Sequence, residues 1–273
     1  MLEFSQAAIY ALKLGSKRKL IQIAAFVVSN LGFIGIFKTG FVCPFLYCHG
    51  CPFAAFGCPV GIIQNFIIYQ QFPLFTIGSL GIYGVIFGRV FCGWACPFGT
   101  MHDLLSYSNK KRSIQTRNHW YIKYIILFLT LALAWFALDS VFCKYCPSGS
   151  LFAAIPFRLL YPEAAEFGLF FYTHMFTLVL TILLAILISR FWCRYLCPLG
   201  AIAGVFNKVS MLTIDWDKEK CKMCKDCLEA CKMGIREMKD ISHSTDCTLC
   251  GNCVEACSEK ALFFTIKGRQ KVH

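Results

Sequence analysis

Eight cysteines near the C-terminus stand in two runs of one spacing, C-x2-C-x2-C-x3-C: Cys221, Cys224, Cys227, Cys231 and then Cys247, Cys250, Cys253, Cys257. Three thiolates on one tight loop can grip three corners of an iron–sulfur cubane, but the same loop cannot supply the fourth. The fourth then comes from the other run. This assigns Cys221, Cys224, Cys227 and Cys257 to one [4Fe–4S] cluster, and Cys247, Cys250, Cys253 and Cys231 to a second. Two C-x2-C pairs also suit tetrahedral zinc, but a four-ligand zinc site leaves one cysteine of each run idle. Lys232 and Ser258 follow the fourth cysteines, where proline is usual.

Ten further cysteines precede these. Arg89–Gly99 reads RVFCGWACPFG and Arg190–Gly200 reads RFWCRYLCPLG, 101 residues apart. The duplicated C-x3-C-P segments offer Cys92, Cys96, Cys193 and Cys197 to a third cluster. The C-x2-C-P pairs offer Cys48, Cys51, Cys143 and Cys146 to a fourth, with Cys43 and Cys58 as alternative ligands. CPVG at Cys58 resembles CPFG, CPSG and CPLG, so Cys58 competes with Cys51 as the counterpart of Cys146. Proline after the cysteine interrupts a preceding helix, and the nearby glycine lets the backbone approach a cluster and aim amides at its sulfurs. Two other readings stand beside this one. Free cysteine packs well as a small core residue, and paired cysteines can relay disulfides.

The elements that must position these thiols are apolar. The chain has 273 residues, 57% of them hydrophobic, and a mean hydropathy of +0.58, which points to a membrane protein. Four runs, 20–38, 74–91, 121–142 and 169–189, approach the ~20 residues that cross a bilayer. The apolar stretch 53–72 is broken by Gly57, Pro59 and Gly61 and reads as re-entrant or interfacial. Residues 1–15 suit a short amphipathic surface helix.

Charge is uneven. Residues 1–214 hold 16 Lys/Arg and 5 Asp/Glu, and residues 215–273 hold 11 and 10, so nearly all of the net +12 lies in the apolar part. The basic residues flank apolar runs, which is a topology signal and excludes nucleic acid as the expected partner. With the N-terminus inside, Lys13, Lys17, Arg18, Lys19, Arg89, Lys110, Lys111, Arg112, Arg117, Lys123, Arg190, Arg194 and Lys208 fall on the inner side. Lys38, Lys144 and Arg158 fall outside. Cys92, Cys96, Cys193 and Cys197 then lie at the inner end, and Cys43, Cys48, Cys51, Cys58, Cys143 and Cys146 at the outer end. His102 and Asp103 are inner candidates for passing protons. His49, Asp139, Glu163, Glu166 and His174 are outer ones. Trp94, Trp120, Trp135, Trp192 and Tyr195 read as interface aromatics.

The expected architecture is an all-α bundle of four transmembrane helices, built as two parallel span–CxxCP–span–CxxxCP repeats. A C-terminal α+β domain of the two-cluster bacterial ferredoxin type follows. Its expected parts are an N-terminal cytoplasmic or interfacial segment at 1–19, a transmembrane domain at 20–214 and a cytoplasmic ferredoxin domain at 215–273.

Paired C-x3-C-P segments at Cys92–Pro97 and Cys193–Pro198, ahead of a two-cluster ferredoxin tail, resemble the NapH/NosR/CcoG type of membrane polyferredoxins. The resemblance covers about residues 75–265. It implies a multi-pass protein of the plasma or inner membrane that transfers electrons as a subunit of an oxidoreductase of the quinol dehydrogenase type. Membrane lipid, other redox subunits and quinone are the implied partners. The segment from Cys43 to Gly61 is richer in cysteine than that family leads one to expect. A second expectation is a ferredoxin-bearing membrane anchor or assembly factor that delivers metal or reduces copper for a larger redox complex. A transporter built from the duplicated halves ranks last, because transporters usually have more spans.

Overall fold

The computed structural model describes residues 3–108, 119–163 and 168–266, with backbone alone at 3–14, 16, 35, 107 and 108. Lys13, Lys110, Lys111, Arg112, Arg117 and Glu166 lie outside the described side chains. Helix α1 (Glu3–Ser29) is continuous through Lys17, Arg18 and Lys19, since Lys and Arg are good helix formers. Within the segment 1–15, the described residues 3–15 are therefore the start of a longer helix. Two short 3-10 turns, Leu31–Phe33 and Gly35–Phe37, lead into the cysteine-rich loop. Then come α2 (Pro59–Ile68), α3 (Leu74–Phe87), α4 (Val90–Trp94), α5 (Pro97–Ser108) and α6 (Ile122–Ala137). Helices α7 (Val141–Tyr145) and α8 (Pro147–Gly149) run into a π turn, Ser150–Ala154, and α9 (Ile155–Leu160). The body ends with α10 (Leu169–Leu187), α11 (Phe191–Tyr195) and α12 (Pro198–Phe206).

The four-span bundle expected from the apolar runs is not what forms. Among the described residues only α10 is long and apolar enough to cross a membrane. Helices α3 and α6 measure about 21 and 24 Å at 1.5 Å per residue, short of the ~30 Å hydrocarbon core. The physical reason lies in where they stop. Gly88 at φ +56 ends α3, and Leu138 in the left-handed region ends α6. Each bend delivers a short cysteine-bearing helix into the interior: Cys92 on α4 and Cys143 on α7. The run at 20–38 likewise breaks after Ser29. Apolar residues counted as spanning helix are used instead in these turns.

The repeat survives in the architecture, since α3–α4–α5 and α10–α11–α12 recur in the same order. The interior of the body is built around thiols. Cys51, Cys58, Cys96, Cys146 and Cys197 share one core with Phe45, Leu46, Tyr47, Phe98 and Leu199. The outside is apolar too, with Ile23, Phe75, Ile82, Phe128, Phe136, Phe176 and Leu183 exposed.

The C-terminal domain has one two-stranded antiparallel sheet, β1 (Leu212–Trp216) with β2 (Leu262–Ile266), in a register that pairs Leu212 with Ile266 and Trp216 with Leu262. Helices α13 (Asp226–Glu229) and α14 (Asn252–Ala256) pack together beneath it. Its two halves repeat in backbone conformation at an offset of 26 residues. Met223 and Leu249, Lys225 and Gly251, and Gly234 and Lys260 all take positive φ. Left-handed residues flanked by right-handed ones turn successive amides inward, the geometry of an anion-holding nest.

Candidate functional site

The ferredoxin-type cysteines gather around two cavities. Cys221, Cys224, Cys227 and Cys257 line one cavity of about 370 Å³, with Trp216, Met223, Leu228 and Met238 among its walls. Cys231, Cys247, Cys250 and Cys253 line a second, together with Met233, Ile235 and Ile241. Cys227 borders both. A backbone amide points at one of these sulfurs: Ala261 N donates to Cys257 Sγ at 3.3 Å. Burial pushes the Cys247 thiol up to about 12, so a metal must displace a proton that the bare site retains. Among the described residues no three His, Cys, Asp or Glu side chains converge tightly enough for a single metal ion. Four thiols spread around a cavity fit the larger [4Fe–4S] unit.

The four cysteines of the 101-residue repeat are each buried at 6–8% exposure. They lie within electrostatic reach of one another, Cys96 of Cys92 and Cys193, and Cys197 of all three others. Cys197 N-caps α12, with Pro198 in the first turn, and accepts the Gly200 amide at 3.3 Å. Cys96 precedes Pro97 of α5 and accepts the Gly99 amide at 3.4 Å. The C-P-x-G tetrapeptide is thus a helix start whose third residue aims its N–H at sulfur, and at residue 99 any Cβ would meet Cys92 O at 2.8 Å.

The remaining cysteines separate. Cys48, Cys58, Cys143 and Cys146 line one further cavity with Leu46, Tyr47, Phe142 and Gly149. Cys58 and Cys146 N-cap α2 and α8 with Pro59 and Pro147 in the first turn, repeating the C-P-x-G placement without a side-chain cap hydrogen bond. Gln64 Nε2, fully buried, donates to Cys143 Sγ at 3.4 Å. Cys51 faces elsewhere, its sulfur accepting from Tyr47 Oη at 3.5 Å and Phe53 N at 3.3 Å. Cys43 packs beside the core and does not line the cavity. Leu46 lies between the two sets: it lines this cavity, and its carbonyl accepts from Cys96 Sγ at 3.9 Å.

The second ferredoxin loop sits directly on the repeat cysteines. Arg89 Nη2 donates to Cys193 O at 3.1 Å and its Nη1 to Thr245 O at 2.7 Å. Arg190 Nη1 donates to Cys92 O and Thr248 Oγ1, both at 3.3 Å. Lys123 and Asp246 form a salt bridge at 2.5 Å with side chains 0% and 1% exposed. Asn207 Nδ2 donates to Cys247 O at 2.7 Å, and Trp94 Nε1 to Leu249 O at 2.9 Å. Sequence reasoning missed this interface. The one available signal was the arginine standing three residues before each repeat cysteine.

The candidate proton carriers stand in varied surroundings, and His49 lines the cavity of Cys48, Cys58, Cys143 and Cys146. Asp103 is a hub for Arg18, Arg190 and Lys232. Burial works against its charge, but these cations override it and hold its carboxyl far below the usual range. His102 is fully buried, with Nδ1 at 3.0 Å from Phe98 O and Nε2 without a partner. Asp139 pairs with Lys144, His174 Nδ1 lies 3.0 Å from Ser150 Oγ, and His49 and Glu163 are exposed. Trp94 and Trp192 belong to the interior contacts, whereas Trp120 and Trp135 are exposed.

These thiol-lined cavities define a class, the [4Fe–4S]-binding electron-transfer proteins. A family model described as a 4Fe-4S binding domain matches residues 70–115, 122–156 and 170–213, the region of the repeat cysteines. Curated relatives include an uncharacterized protein of Methanocaldococcus jannaschii, 28% identical over 66% of this chain and 74% of its own. The ferredoxin-type protein NapH of Haemophilus influenzae is 28% identical over 55% of this chain and 49% of its own. The regulatory protein NosR of Pseudomonas aeruginosa is 28% identical over 60% of this chain and 21% of its own. No solved structure matches significantly. Within its class the chain is a relative of the NapH/NosR-type polyferredoxins, spanning about half of NapH and a fifth of NosR.

Proposed function

We propose that this chain is a membrane-bound electron relay of four [4Fe–4S] clusters. The first would be held by Cys221, Cys224, Cys227 and Cys257, and the second by Cys231, Cys247, Cys250 and Cys253. The third takes Cys92, Cys96, Cys193 and Cys197, and the fourth Cys48, Cys58, Cys143 and Cys146. Each cluster, when bound, supplies one-electron redox chemistry. The chain's own residues bury it, orient amides toward its sulfurs and set its distance to the next.

One observation carries the reading: each thiol set touches its neighbour. Cys227 joins the first cavity to the second. Arg89 and Arg190 join the second loop to the repeat cysteines. Leu46, which lines the last cavity and accepts from Cys96 Sγ, joins those to the last set. A domain hung on an ordinary anchor would not need this continuity.

The exposed apolar outside supports placement in a bilayer, with α10 as the crossing helix and the shorter helices packed around it. Arg18 of α1 donates to Asn252 Oδ1 of α14 at 2.5 Å, which puts the start of the body and the ferredoxin domain at one end. The exposed Lys17 and Lys19 that flank Arg18 support a cytoplasmic placement of that end. Partner redox proteins would exchange electrons at the first cavity, where Cys224 is exposed.

Iron and acid-labile sulfide analysis of anaerobically purified protein tests this. The expected content is about sixteen irons per chain at four per cubane. A value of about eight would leave a two-cluster ferredoxin and overturn the relay.

A further inference from the structure

Where the repeat cysteines meet the second ferredoxin loop, cations outnumber carboxylates among the described residues. Arg18, Arg89, Lys123 and Arg190 are buried there around two buried carboxylates, Asp103 and Asp246. Four cations around two anions leave an excess of two positive charges out of water. Removing a lone cation from water costs several kcal/mol even after relaxation, so such an excess needs an anionic counterpart. Arg89 and Arg190, 101 residues apart, occupy equivalent places and cross over. Each donates to a carbonyl of a cysteine from the other half, Arg89 to Cys193 and Arg190 to Cys92. Each also reaches the 245–248 segment that leads into Cys247 and Cys250.

We propose that Arg89 and Arg190 form a cationic bridge between the second and third clusters, compensating their negative charge and holding their spacing. The inference rests on the four-cluster reading. A [4Fe–4S] unit with four thiolate ligands is a net anion and gains another charge on reduction. A fixed cation beside it favours the reduced form and raises its potential. The two arginines are positioning residues, acting through the cysteine backbone and through their field.

The test is a redox titration of the purified holoprotein followed by electron paramagnetic resonance, with iron content measured on every sample. Arg89→Gln and Arg190→Gln remove a positive charge and are expected to lower the midpoint potential of a cluster next to the bridge. Arg89→Lys is expected to restore most of that shift. Asp246→Asn removes a negative charge from the same interface and is expected to raise the potential. Opposite signs for arginine and aspartate substitutions are what a purely structural role would not produce. Where an Arg→Gln variant loses iron, Arg89→Lys and Asp246→Asn carry the test alone. Full iron with unchanged potentials, or shifts of one sign throughout, would overturn the bridge. A wild-type content of about eight irons would instead sink the reading on which it rests.

Discussion

Cys58 and Cys146, 88 residues apart, line one cavity, and each caps a helix whose first residue is a proline and whose third is a glycine. Cys51 stands closer in sequence to the expected partner Cys48 but turns to Tyr47. Cys58→Ser is therefore expected to cost about four irons per chain, one cubane. Cys51→Ser should retain them. Iron analysis of the two variants side by side decides which cysteine is the ligand.

The Lys123–Asp246 pair is buried and fixes the second ferredoxin loop to α6. Lys123→Met leaves an unpaired carboxylate in the interior. The expected loss of stability is about 3–5 kcal/mol. The double variant Lys123→Met/Asp246→Asn should recover part of it. Thermal unfolding of the single and double variants checks this, and equal losses in both would mean that the pair is uncoupled.

Gly204 and Gly93 let the same loop approach the body. A Cβ at residue 204 would lie 2.4 Å from Thr245 O, and one at residue 93 would lie 2.6 Å from Thr248 O. Both obstacles are backbone, so neither can swing aside. Gly204→Ala is expected to lift the loop, costing about 1–3 kcal/mol and making residues 242–250 easier to cleave. Limited proteolysis against wild type measures it.

His102 should give folding a pH dependence. Burial, with a smaller contribution from the Arg190 charge, lowers its value to about 4 from an ordinary 6.5. The neutral ring is the folded form, so its contribution is complete above pH 6.5 and declines as pH falls from 6.5 toward 4. The full difference is about 3 kcal/mol. Asp103, held ionised by three cations, stays constant across that window. Melting temperatures of wild type and His102→Leu at pH 7.5, 6.0 and 5.0 should converge as the pH drops. Parallel slopes would assign the acid sensitivity to another group.

Local chemistry was written plainly in the chain. Ligand spacing within Cys221–Cys257 is a property of a few consecutive residues, because a cubane constrains the loop that wraps it. In the structure Cys221, Cys224, Cys227 and Cys257 line one cavity, and Cys231, Cys247, Cys250 and Cys253 line a second that Cys227 also borders. The C-P-x-G segments and the 101-residue repeat were equally visible, since a helix cap needs only its own four residues. Left-handed backbone at Met223, Lys225, Leu249 and Lys260 was not, because the constraint comes from the loop path and not from the residue.

What the tertiary structure alone decided was distance between remote residues. Hydropathy counts apolar residues and cannot see that α3 and α6 stop early to turn Cys92 and Cys143 inward. Composition counts charges and cannot tell a topology signal from a buried partner, so Arg89, Arg190 and Lys123 read as membrane flanks when they are interior bolts. The choice between Cys51 and Cys58 had the same origin. Spacing specifies which thiols can share a loop, but only the return of the chain specifies which loops share a cavity.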